Sequence, residues 1–194
     1  MPDLDAIRKQ CWTEAVHCFA TAFVFEDRAR RLKKRGRLLT FLGIVLPASV
    51  GATAAAFGLD SPMAAGVLTW TAGVGVVQLI GSIWSLVNRW DDDFAYFQEA
   101  HSANRVFFDR FCKLAKNPPE KVEDASRQLE LIEVESNARS ITDEKQGFSE
   151  DEKRMGMRAA LRELGMKCAG CDVVPKTMDP SNCGVCGSFN RRRW

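Results

Sequence analysis

One aspartate stands alone inside the longest uncharged stretch of this chain. Between Arg37 and Arg89 the only charged residue is Asp60, which separates 22 uncharged residues (38–59) from 28 more (61–88). A helix rising about 1.5 Å per residue needs roughly 20 apolar residues to cross a hydrocarbon layer about 30 Å thick. Both runs are long enough, and Gly58, Asp60 and Pro62 supply the chemistry of a tight turn between them. The pattern predicts a transmembrane helical hairpin. A buried soluble hairpin is the competing reading, since both runs are rich in alanine and glycine. Soluble folds rarely leave so much uncharged surface in one block, which favours the membrane.

Charge is distributed unevenly around that block. Residues 1–37 carry nine Lys/Arg against five Asp/Glu, residues 89–164 carry 13 against 17, and residues 165–194 carry five against two. Seven of the ten residues 28–37 are basic, whereas the turn between the two runs has no lysine or arginine. By the positive-inside rule both termini are cytoplasmic and the turn is external, in a multi-pass protein of the inner (plasma) membrane. Membrane lipids are thus the first expected partner, and the basic run can also rest on anionic headgroups. No cleavable signal is expected, because the first apolar run begins only at position 38.

The soluble parts read as helices. Leu4, Cys11, Cys18, Phe25 and Leu32 recur every seven residues, flanked by Ala15, Ala22 and Ala29, as the seam of one long helix over residues 3–35. Only Gly36 interrupts its approach to the first apolar run. In that run Pro47 predicts a kink, and Gly43, Pro47, Gly51 and Ala55 form a small-residue face suited to close helix contact. The second run carries a polar or small stripe, Thr71, Gly75, Gln78, Ser82 and Ser85, at alternating spacings of four and three. Two readings stay open: the stripe packs against a neighbouring helix, or it lines a water-filled path in an assembly.

Beyond the membrane, Phe94, Phe97, His101, Asn104, Phe108 and Phe111 mark a helical face expected to pack on the N-terminal seam. His101 and Asn104 would set its register by hydrogen bonding. A largely solvated helix is expected over residues 120–141. A further helix begins at Ser149, three before Glu152 in capping-box spacing, and stops at Gly165.

Four of the seven cysteines carry the strongest chemical signal. Cys168 and Cys171 form one CxxC pair, Cys183 and Cys186 another, with 11 residues between them. Two such pairs bring four thiolates within reach of one tetrahedral ion, with sulfur about 2.3 Å from zinc. The reading is one structural zinc per chain in a closed shell, with iron and redox-active dithiols as alternatives. Arg191, Arg192, Arg193 and Trp194 add a basic end, weak support for nucleic acid. The fold class is therefore an all-α membrane protein, a two-transmembrane helical hairpin with cytoplasmic helical extensions and a small C-terminal zinc ribbon. Its expected divisions are 1–37, 38–88 (spans 38–57 and 62–88), 89–164 and 165–194.

This layout of cytoplasmic helix, basic run, hairpin and returning helix resembles the SLATT-type two-transmembrane effectors of bacterial conflict systems. The tail, through Cys168, Cys171, Cys183 and Cys186, is similar to a mobilome-associated group with the same CxxC-x11-CxxC spacing. The resemblance implies a membrane effector, oligomeric and pore-forming, in anti-phage or mobile-element defence, with a separate sensor protein. The alternative is a membrane-anchored adaptor whose zinc tail binds a protein or nucleic acid. No catalytic set stands out, so no enzyme is expected.

Overall fold

Heptad spacing at the start of the chain and an uncharged run after it produce a single element. In the computed structural model, which describes residues 3–57 and 62–190 without the side chains of 57, 63 and 64, helix α1 spans Leu4–Phe57. It is continuous through Gly36 and Pro47. Four more helices follow: α2 (Pro62–Val87), α3 (Trp90–Lys116), α4 (Val122–Glu144) and α5 (Glu150–Leu164). No strand occurs among the described residues. The expected turn at 58–61 and the basic end at 191–194 lie outside them. The chain divides into two compact units, residues 1–27 with 97–194, and residues 28–96. The basic run thus belongs with the hairpin.

The first unit is assembled on the α1 seam. Ile7, Cys11, Ala15 and Cys18 pack with Phe108, Phe111 and Cys112 of α3 and with Ala125, Leu129 and Ile132 of α4. Phe25 and Phe111 are wholly buried, each contributing about 1.5–3 kcal/mol through apolar burial. Ring pairs fix the α1–α3 contact: Phe19 meets Phe108 edge-on at 5.2 Å, and Phe25 lies 5.7 Å from Phe97. His101 Nδ1 sits 3.0 Å from the Ala22 carbonyl oxygen, so the expected register bond is present. Burial pushes the Cys18 thiol up to about 12 and the Cys11 thiol to about 11, which keeps both protonated core groups.

Helix α4 is less solvated than its mixed charges suggest. Ala125, Leu129, Ile132 and Asp143 are buried along it. Asp143, 1% exposed, accepts from Asn104 Nδ2 at 2.7 Å and from Arg139 Nε at 2.9 Å. Arg139 also reaches Glu99 at 2.6 Å. A charge removed from water is tolerated because each carboxylate oxygen has a donor.

Helix α5 meets α1 backbone to backbone. A Cβ added at Gly156 would lie 2.6 Å from the Ala20 carbonyl oxygen and 3.1 Å from Val24 Cγ2. Because the nearest atom is backbone, no rotamer change relieves the clash. Gly156→Val is therefore expected to destabilise the unit by about 1–3 kcal/mol. Thermal unfolding of the purified full-length protein measures this; an unchanged midpoint would mean the helices separate freely there.

In the second unit, residues 28–96, α2 lies against the later part of α1. Its half-buried face consists of Val67, Thr71, Val74, Gly75, Gln78, Gly81, Ser82 and Ser85. On α1 the half-buried residues are Leu39, Leu42, Leu46, Ser49, Val50, Thr53 and Ala54. Within the chain the small-residue face of α1 is therefore mostly turned away from α2. Pro47, Gly51 and Ala55 are exposed, and only Gly43 makes a close approach, its notional Cβ 2.9 Å from Gln78 Nε2. Leu39, Leu42 and Leu46 on the adjoining arc are half-buried instead. Arg35 stacks over the Trp90 ring at 5.7 Å.

Candidate metal centre

The cysteine segment begins where α5 is made to stop. Ser149 and Glu152 form the predicted capping box at the helix start, with Ser149 Oγ accepting from the Glu152 N–H at 3.2 Å. Gly165 takes a left-handed conformation, φ 63°, at the other end. The Met166 N–H then returns to the Leu161 carbonyl at 2.9 Å. This closing turn delivers Cys168 directly beside the helix it has just left.

Each CxxC pair folds as a knuckle. The Asp172 N–H donates to the Cys168 carbonyl at 2.8 Å, and the equivalent Gly187 N–H donates to the Cys183 carbonyl at 2.9 Å. Inside each knuckle a backbone N–H points at sulfur: Gly170 to Cys168 Sγ and Val185 to Cys183 Sγ, both at 3.4 Å. The segment has no β-hairpin among the described residues, so "ribbon" describes its cysteine spacing rather than strands.

All four sulfurs lie within 4.8 Å of one another. Cys168 and Cys183 are 3.9 Å apart, as are Cys171 and Cys186. A tetrahedron with metal–sulfur bonds of about 2.3 Å has edges of about 3.8 Å. The spacing therefore fits one metal ion held by Cys168, Cys171, Cys183 and Cys186. Backbone N–H groups of Cys186 and Val185 pull the Cys183 thiol down to about 6, whereas burial pushes Cys186 well up. Four thiolates at this distance repel one another, and a central cation is what allows all four to ionise together.

Burial splits the site into an inner and an outer half. Cys168 and Cys186, each 1% exposed, pack with Val16 of α1 and with Ala160 and Leu161 of α5. Cys171 is exposed and Cys183 half-buried. Arg158 of α5 holds the segment down: Nε donates to the Thr177 carbonyl at 2.7 Å, and a terminal nitrogen donates to the Cys186 carbonyl at 3.3 Å. Arg154 adds a bond to the Ser188 carbonyl at 2.9 Å.

The same spacing decides kinship. The family model for the mobilome CxxCx(11)CxxC protein matches residues 8–189. The chain belongs to that family. The match extends far beyond the cysteine tail, so the helices carrying the centre are part of the family pattern in this mobilome CxxCx(11)CxxC protein. No curated protein and no solved structure matches the chain.

The other predicted residues of this mobilome CxxCx(11)CxxC protein lie in the hairpin unit. Thr71, Gly75, Gln78, Ser82 and Ser85 do share one face of α2, and all five are half-buried. Gln78 faces Gly43 and Gly81 faces Leu39 of α1. The Thr71 hydroxyl donates within its own helix, to the Val67 carbonyl at 2.8 Å. Arg158 escaped sequence reasoning because an arginine in a charged helix resembles any solvated one. The signal that could have found this face of α5 is its run of small residues, Gly156, Ala159 and Ala160.

Proposed function

We propose that the protein is an oligomeric, pore-forming membrane effector of a bacterial conflict system, directed against phage or mobile elements, and not an enzyme. One observation carries the membrane part. α1 and α2 each contain a stretch long and apolar enough to cross a bilayer, and none of either stretch is buried within the chain. Exposed Leu68, Val76, Val77, Leu79, Ile80 and Ile83 are the surface that lipid covers. On this reading the basic run keeps both termini cytoplasmic in the inner membrane, and the cysteine centre holds one structural zinc. The mobilome family supports the conflict setting, and the SLATT-like layout supports an effector awaiting a separate sensor.

Conduction along Thr71–Ser85 requires α2 to turn from α1 towards other copies on activation. Gln78 is then the group whose loss matters most. Gln78→Leu is expected to abolish depolarisation after induced expression in bacteria, at unchanged protein level, read with a potential-sensitive dye. Undiminished depolarisation in that variant would remove the stripe from the path.

The adaptor reading has its own support. A cleft of about 790 Å³ opens beside the knuckles, edged by Val173 and Val185, which are 59% and 42% exposed. Exposed valines beside a rigid metal knuckle suit a protein or nucleic-acid partner. Depolarisation lost in a Cys168→Ser/Cys183→Ser variant but retained with Gln78→Leu would favour control through this tail.

A further inference from the structure

We propose that α1 carries a binding site for one anionic diacyl phospholipid at the cytoplasmic border of the hairpin. The site is built from Lys33, Lys34 and Arg37 above Phe41 and Ile44. It rests on the membrane reading above and names the lipid chemistry that the hairpin selects.

Lys33, Lys34 and Arg37 are exposed, and none of them forms an ion pair among the described residues. At about 100° per residue they fall within one 100° arc of the helix. Like charges three and four residues apart repel across a helix face, so this stripe is unfavourable until an anion covers it. Arg35 points elsewhere, onto the Trp90 ring at 5.7 Å, and is not part of the stripe.

The same arc changes character one turn later. Phe41 and Ile44, 60% and 65% exposed, lie within the angular range of the three cations. From Arg37 to Ile44 the helix rises about 10 Å, so cationic and apolar surface follow each other directly. A phosphate headgroup answers the first and an acyl chain the second. A free phosphate would use only half of the surface, and a zwitterionic lipid would leave the cations uncompensated.

Purified full-length protein in detergent, titrated with phosphatidylglycerol or phosphatidylcholine and read by native mass spectrometry, tests the site. Phosphatidylglycerol should bind more tightly. Lys33→Gln/Lys34→Gln/Arg37→Gln should weaken it on the order of 100-fold and Arg37→Gln alone about fivefold, since each cation near an anionic headgroup is worth about a fivefold factor. A control with the same charge loss, Lys9→Gln/Lys116→Gln/Lys121→Gln, should bind as wild type. Equal affinity for the two lipids, equal loss in the control, or glycerol phosphate binding as tightly as the lipid each overturns the proposal. Alkaline carbonate extraction of cell membranes separates this from the parent reading. Protein that stays in the pellet without lipid preference leaves the hairpin standing, whereas protein released to the supernatant removes both.

Discussion

Removal of a metal ion held by the four cysteines should detach residues 166–190 from α5 and leave the α1–α3–α4 core assembled. The segment has little core of its own. Its buried residues, Cys168, Pro175, Cys186, Gly187 and Phe189, are few. Structural metal binding in short cysteine modules is worth about 10–16 kcal/mol, far more than the Arg154 and Arg158 bonds to the segment can replace. Chelation, or Cys168→Ser/Cys183→Ser, is therefore expected to raise amide exchange across 166–190 to near the unstructured rate. Thiol alkylation gives a second readout. Cys168, Cys171, Cys183 and Cys186 should become reactive on chelation of the wild type, while Cys11, Cys18 and Cys112 stay blocked by burial. Burial also raises the Cys112 thiol, so none of the three offers a thiolate near neutral pH. Chelation that changes neither exchange nor alkylation would show that the four cysteines hold no ion.

The second large effect belongs to a residue far from any motif. Asp143→Ala removes the carboxylate that Asn104 and Arg139 both address, at 2.7 and 2.9 Å. Breaking a buried ion pair by deleting one partner costs about 3–5 kcal/mol, because the other is left without compensation. For a unit of this size that corresponds to a fall in midpoint of roughly 10–20 °C. Asp143→Asn keeps the volume and one acceptor, so it should fall between wild type and alanine. Thermal unfolding of the three proteins gives the order. An alanine variant as stable as wild type would reduce the network to ornament.

These two cases also separate what was legible in the sequence from what was not. Each CxxC pair, the α1 seam and the α5 capping box are encoded at short spacing, of three or seven residues. Periodicity finds them because one element alone defines them. Asp143 depends on Asn104, 39 residues away, and Arg158 on carbonyls 19 and 28 residues away. No local pattern distinguishes such a charge from a solvated one. In the hairpin the polar stripe of α2 was legible as a face, whereas the arc of α1 that it meets was not. Four-residue spacing in an apolar helix marks several faces equally, and only the partner's position chooses among them.

The backbone contact at Gly156 has a consequence for how this protein drifts through sequence space. A helix pair spaced by side chains moves whenever one of them changes size, and each ordered side chain also surrenders rotamer freedom. Where α5 meets α1 at Gly156 the nearest atom is the Ala20 carbonyl oxygen, and only the Val24 methyl beside it can be resized. Substitutions at Val16, Ala160 or Leu161 bear on Cys168 and Cys186 directly, whereas this backbone approach does not depend on them. Glycine at this single position thus sets how closely α5 approaches α1 beneath the sulfur cluster.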